Sequence, residues 1–179
     1  MSAVEFEPFE KLARLRRDCT ITEKLDGTNA QVYVPQDDGP LMFGSRNRWL
    51  TVESDNYGFA RWGTEHADEL RRLGPGRHFG EWWGAGIQRR YGLEEKRFSL
   101  FNVGRWSAAD LPACVSLVPI LYSGRFSDEA VNGALASLSD GGSVASPGFK
   151  PAEGIVVYMA ASRTLYKVTL DGDGHKGAK

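Results

Sequence analysis

Apolar and polar side chains alternate in short runs along most of this chain. Ala30-Gln-Val-Tyr-Val34 places every second residue on an apolar face, as a half-buried strand does. The same pattern predicts strands at 20–23, 30–35, 41–45, 78–83, 97–103, 154–159 and 164–170. Gln36-Asp-Asp-Gly-Pro40 supplies a turn between the second and third, and a loop through Gly84, Gly86 and Gly92 joins the fourth to the fifth. The period changes twice. Phe59, Trp62, His66, Leu70 and Leu73 recur at helical spacing over 55–73, although Gly58 and Gly63 weaken the first half, and Gly74-Pro75-Gly76 ends the run. A second helix is predicted over 128–138, with Ser127 as N-cap and Asp128 and Glu129 facing the positive end of the helix dipole. Residues 8–17 suit a short helix or an extended arm. The Ser- and Gly-rich stretch 139–148 reads as flexible, and 171–179 as a disordered tail. Many short strands with two inserted helices predict an α+β domain built on antiparallel sheets.

Composition narrows the class. The 179 residues suit one domain that needs neither disulfides nor a structural metal. No run approaches the roughly 18 apolar residues of a membrane span, and Met1-Ser-Ala-Val-Glu-Phe-Glu7 lacks the regions of a signal peptide. Cys19 and Cys114 are isolated and outside metal-ligand spacing, which predicts two reduced thiols in a cytoplasmic protein. A net charge of −1 carries no global nucleic-acid signature. Arginines do cluster locally, as at Arg46 and Arg48 or Arg89 and Arg90. Nucleic acid would have to be gripped by such a patch, with affinity falling as salt rises.

Four segments set a charged side chain at a strand edge or beside glycines. They are Glu23–Asn29, Phe79–Gln88, Glu153–Val157 and Tyr166–Val168. The first holds Lys24 in a turn-prone Lys-x-Asp-Gly run between two apolar stretches. A free lysine has a pKa of about 10.4 and is not a nucleophile at neutral pH without help. Each segment alone has an ordinary structural reading, such as a hairpin turn or a surface strand. His66, on an apolar helix face, reads as a satisfied core histidine. The five tryptophans read as packing residues, with Trp82 or Trp83 as candidates to line a site.

In this order the segments resemble the nucleotidyltransferase domain of covalent polynucleotide ligases and capping enzymes, and among them the ATP-dependent, phage-type RNA ligases. The resemblance implies a ligase-type, ATP-grasp-like fold over residues 1–170 without an OB-fold. It implies that Lys24 attacks the nucleotide α-phosphate, and that Glu23 and Asn29 flank it in the nucleotide site. Arg46 of Ser45-Arg-Asn-Arg48 matches a phosphate- or sugar-binding arginine. Glu81 fits the Gly-Glu of the next motif, as a ribose acceptor or a second metal contact. Phe101 of Phe98-Ser-Leu-Phe-Asn102 matches an aromatic that stacks on adenine, with an ordinary core phenylalanine as the other reading. Glu153 matches a metal- and nucleophile-proximal carboxylate, and Lys167 a lysine of the last motif.

The implied cofactors are ATP and Mg²⁺ or Mn²⁺, and the implied substrate is RNA with nicked or broken ends, or an RNA/DNA hybrid. The chain departs from the pattern in two places. The last motif usually carries two lysines one residue apart, whereas Lys167-Val-Thr169 offers one. Neither an OB-fold nor a helical C-terminal domain fits in 171–179, so end recognition would fall to this domain or to a separate protein. A DNA ligase, a capping nucleotidyltransferase, or a partner-dependent, non-catalytic RNA-binding remnant of the same fold are the alternatives.

Overall fold

Strand alternation builds two sheets joined by two short links, residues 25–27 and 118–119. The computed structural model describes residues 5–11 and 17–171. Sheet one has the order β10 (Thr164–Thr169), β9 (Gly154–Met159), β1 (Asp18–Lys24), β8 (Ile120–Arg125). Sheet two has the order β4 (Trp49–Leu50), β3 (Met42–Ser45), β2 (Thr28–Val34), β5 (Gly76–Gly84), β6 (Lys96–Leu100), β7 (Val115–Leu117). The neighbours pair antiparallel, as expected of this α+β class, except for the parallel pair β6–β7.

Each sheet buries one face under helices. On sheet two, Val32, Phe43, Trp82 and Phe98 pack with Phe59 of α1 (Phe59–Glu65), Leu70 of α2 (Ala67–Arg71) and Leu73 just after it. Phe59 is fully buried, with its ring 5.0 Å from that of Phe98 and 5.4 Å from that of Trp82. Burying a side chain of this kind contributes about 1.5–3 kcal/mol. On sheet one, Cys19, Ile21, Ile155 and Val157 pack against Ala134 and Leu138 of α3 (Asp128–Gly141). A third cluster, Leu25, Trp83, Tyr91 and Val118, closes the base where the sheets join. Both cysteines are free thiols. Among the described residues, no helix is long and apolar enough to cross a membrane.

Several expectations are corrected. The segment 55–73 is not one helix. Residues 55–58 form a turn in which the Asp55 carboxylate accepts the backbone N–H groups of Ala60 and Arg61, so the first helix starts at Phe59. It breaks at His66, whose φ is −107°, and the ring Nδ1 lies 2.8 Å from the Trp62 carbonyl oxygen. His66 is thus a satisfied packing histidine, as its position on the apolar face implied. The strand placed at 97–103 ends at Leu100. Strands β4, β7 and β8 are additions. The first two are two and three residues long, and β8 is largely open to solvent, so they carry little periodicity.

The stretch 139–148 is not free chain. Its helix runs to Gly141, and Ser143 and Ser146 are buried. Glu23 reaches across and accepts the N–H groups of Val144 and Ala145 at 2.9 and 3.0 Å. The expected arm at 8–17 has no regular structure over 8–11, and 12–16 lie outside the described residues. Of the predicted tail, Asp171 is ion-paired with Arg89, and 172–179 lie outside the described residues.

Candidate active site

Alternation decides which side chains meet. On β1, Cys19 and Ile21 point into the core beneath α3, so Lys24 lies on the opposite face, at the end of the strand. It is paired across β9 with Gly154, and Gly154 is paired in turn with Thr169 of β10. Gly154 has φ +151°, and a Cβ there would sit 2.2 Å from the Val168 carbonyl oxygen, so only glycine fits. The preceding residue, Glu153, holds Lys24 Nζ at 2.5 Å through Oε1. Both side chains are about three-quarters buried or more. Burial raises the Glu153 carboxyl, and the hydrogen bond from Lys24 opposes that rise. Its second oxygen is buried and has no hydrogen-bond partner among the described residues.

The loop from Lys24 to β2 is held from below. Gly27 leaves no room for a side chain, because a Cβ would lie 2.3 Å from the Trp82 carbonyl oxygen and 2.8 Å from Trp83 Cβ. Its N–H donates to Glu81 Oε1 at 3.0 Å, while Asn29 Nδ2 donates to Glu81 Oε2 at 3.1 Å. Arg46 Nε in turn donates to Asn29 Oδ1 at 2.7 Å, and Nη2 binds the same oxygen. The result is a chain running Gly27–Glu81–Asn29–Arg46, with Lys24 close enough to act on Glu81 electrostatically. Burial pushes the Glu81 carboxyl up to about 7, against the opposing pull of Lys24 and of the Gly27 N–H. Both its oxygens face donors, which is the arrangement an ionised carboxylate needs.

The sequence-predicted residues Lys24, Glu153, Glu81, Asn29 and Arg46 are therefore brought together or linked. Phe101 continues the β6 ladder through its N–H to the Phe79 carbonyl, which puts it on the face shared by Ser99 and Glu81. It is 41% exposed, so it is not a core phenylalanine. Lys167 pairs with Val156, on the same face of sheet one as Lys24 but two rungs further along. Thr169, not Lys167, occupies the rung of Lys24. Glu23 points the other way. It is 1% exposed and bound to the 144–145 backbone, away from the Lys24 side chain.

Two supporting residues were not foreseen in this role. Arg89 Nε donates to Asp26 Oδ2 at 3.0 Å, and Nη2 binds Asp171. The Tyr91 hydroxyl accepts the Asp26 N–H at 2.7 Å, while its ring packs against Trp83 and Phe149. Gln88, Arg90 and Tyr91 all have positive φ, a costly conformation for non-glycine residues that surrounding structure must enforce. Asp26 was visible in Lys-x-Asp-Gly itself. Arg89 and Tyr91 carry no periodic signal.

A divalent ion suits part of this donor set. Hard cations take carboxylate oxygens and keep waters, and Glu153 offers an unpartnered buried oxygen. Among the described residues no three His, Cys, Asp or Glu side chains form a cage. The site thus fits an ion held by one protein carboxylate, waters and a phosphate-bearing ligand.

A family model described as RNA ligase matches residues 17–169. No curated protein matches the chain at a significant level. Among solved structures, a mutant Naegleria gruberi RNA ligase with ATP and Mn has a TM-score of 0.63 and 24% identity, over 86% of this chain and 50% of that one. The same ligase with PPi gives 0.63 and 23%, over 86% and 49%. A mutant with AMP and Mn gives 0.61 and 22%, over 86% and 49%. At such identities the likeness shows the fold alone, and this chain spans about half the length of those ligases. The family match spans every residue from β1 to β10, and by it the chain belongs to the RNA ligase family.

Proposed function

We propose that residues 1–170 form the adenylation domain of an ATP-dependent RNA ligase, with Lys24 as the covalent catalyst. The observation that carries this reading is the Lys24–Glu153 pair, 2.5 Å apart beside the Glu81–Asn29–Arg46 chain. Amine, carboxylates and guanidinium converge where a nucleoside triphosphate would need a nucleophile, a ribose acceptor and a phosphate contact. That the Naegleria gruberi ligase has been solved with ATP and Mn, with AMP and Mn, and with PPi supports the same reading.

In this reading Phe101 packs on the adenine and Glu81 accepts a ribose hydroxyl. Arg46 and Lys167 face the phosphates, and Glu23 shapes the site from behind by fixing the 144–145 backbone. Glu153 aims Nζ at the α-phosphorus. The N–P bond forms, the bond to the β-phosphate oxygen breaks, and pyrophosphate leaves. The ammonium proton departs along the Nζ–Glu153 hydrogen bond. A bound Mg²⁺ or Mn²⁺ supplies charge neutralisation for the phosphates, with the second Glu153 oxygen as its protein contact. The lysyl-AMP then passes its adenylyl group to an RNA 5′-phosphate, and a 3′-hydroxyl displaces AMP to seal the strand. The RNA partner is a nicked or broken end, alone or in a hybrid with DNA.

Incubation with α-labelled ATP and Mg²⁺, followed by a panel of nicked RNA, DNA and hybrid duplexes, tests the reading. Label should enter the protein, be absent from Lys24→Ala, and move to RNA 5′-phosphates. Labelling by GTP alone would point to capping chemistry, and no labelling by any nucleotide would overturn the proposal.

A further inference from the structure

The open face of sheet two continues past the nucleotide-facing residues. Along β5 and β2 the register sets Glu81 beside Asn29, Phe79 beside Gln31, and Arg77 beside Tyr33. Trp49 pairs with Gly44, the β3 partner of Gln31, so it joins the same face. The Arg77 guanidinium carbon lies 5.3 Å from the Tyr33 ring centre and 5.2 Å from that of Trp49. Its Nη1 donates to Gln31 at 3.1 Å, and its other N–H groups have no partner among the described residues. Phe79 is 51% exposed and Trp49 41%. Four strand residues, about 13 Å, separate Arg77 from Glu81.

We infer that this row is a stacking track for an RNA strand, leading away from Lys24 along β2 and β5. The occupant rests on the RNA ligase reading above; the track itself rests on its own geometry. Exposed aromatic faces accept any base, because every base has a π-face. A guanidinium fixed by two rings and Gln31 offers its remaining N–H groups to a phosphate in a set direction. On the rungs of Gln31–Phe79 and Tyr33–Arg77 there is no acidic partner to repel it. The net charge of −1 makes such a local cation the means by which this chain would hold a polyanion.

The test is fluorescence anisotropy with a labelled 5′-phosphorylated oligoribonucleotide, on the parent chain, Trp49→Ala and Arg77→Ala. Trp49→Ala should weaken RNA binding roughly tenfold. Arg77→Ala should weaken it and reduce the salt slope by about one. Labelling of both variants by ATP should match the parent, which shows that they are folded. A parent that binds no RNA, or variants that bind it as the parent does, overturn the track. Since anisotropy needs no lysyl-AMP, failure of adenylylation with RNA binding intact would strike the catalytic reading alone.

Discussion

Arg89 is bonded to Asp26, two residues from Lys24, with Nε 3.0 Å from Oδ2. The same guanidinium binds Asp171, just after β10, and lies 3.4 Å from the Pro151 carbonyl, two residues before Glu153. One side chain thus ties the loop that follows Lys24 to the segments that carry Glu153 and Lys167. Arg89→Ala should slow adenylylation by about a hundredfold, the cost of a misplacement of about 1 Å. Arg89→Lys should restore little, because a point cation cannot span both carboxylates as a planar fork does. Initial rates of label incorporation decide this, and a rate near wild type would remove Arg89 from the account.

Glu81 gives the fold a pH dependence. Its carboxyl sits at about 7 when folded, against an ordinary 4.5. The folded state therefore binds this proton more tightly than the unfolded state. Its contribution is fully present below 4.5, falls as pH rises through the window, and is lost above 7. The change is about 3 kcal/mol at roughly 1.4 kcal/mol per pH unit. Urea unfolding of wild type and Glu81→Gln at pH 5 and pH 8 reads it out. Relative to the variant, wild type should lose about 2.5 kcal/mol between the two, since part of the contribution is already gone at pH 5, whereas parallel curves would show that burial of Glu81 carries no such cost.

Gly27 is fixed by space alone. Its missing Cβ would meet the Trp82 backbone oxygen at 2.3 Å, and β5 cannot withdraw without opening its pairs with β2 and β6. Gly27→Ala should cost at least about 2 kcal/mol, as overpacking does. It should lower the melting temperature by roughly 6 °C and displace the N–H that Glu81 accepts. A thermal scan showing an unchanged midpoint would contradict the geometry.

What could be read in the sequence follows what leaves a pattern. Strands β2 and β9 keep strict apolar faces, so their places were plain, and Lys-x-Asp-Gly announced the loop that carries Lys24. The meeting of Lys24 with Glu153, 129 positions apart, came from resemblance and not from periodicity. The roles of Arg89 and Tyr91 left no mark, because both sit in a short loop without apolar periodicity, where Gln88, Arg90 and Tyr91 take positive φ. The stretch 139–148 misled for the converse reason. Its Ser and Gly residues suggest free chain, yet a single buried acid, Glu23, holds it from another element. Helix α1 began late because Asp55, outside the apolar repeat, supplies the acceptors for its first turn.

The central claim is that Lys24 is the residue that becomes covalently bound to AMP. Mass mapping of the chain after incubation with ATP and Mg²⁺ tests it most directly. One adenylyl group is expected, located on Lys24 and missing from Lys24→Arg. An unmodified chain, or an adenylyl group on Lys167 or any other residue, would contradict it.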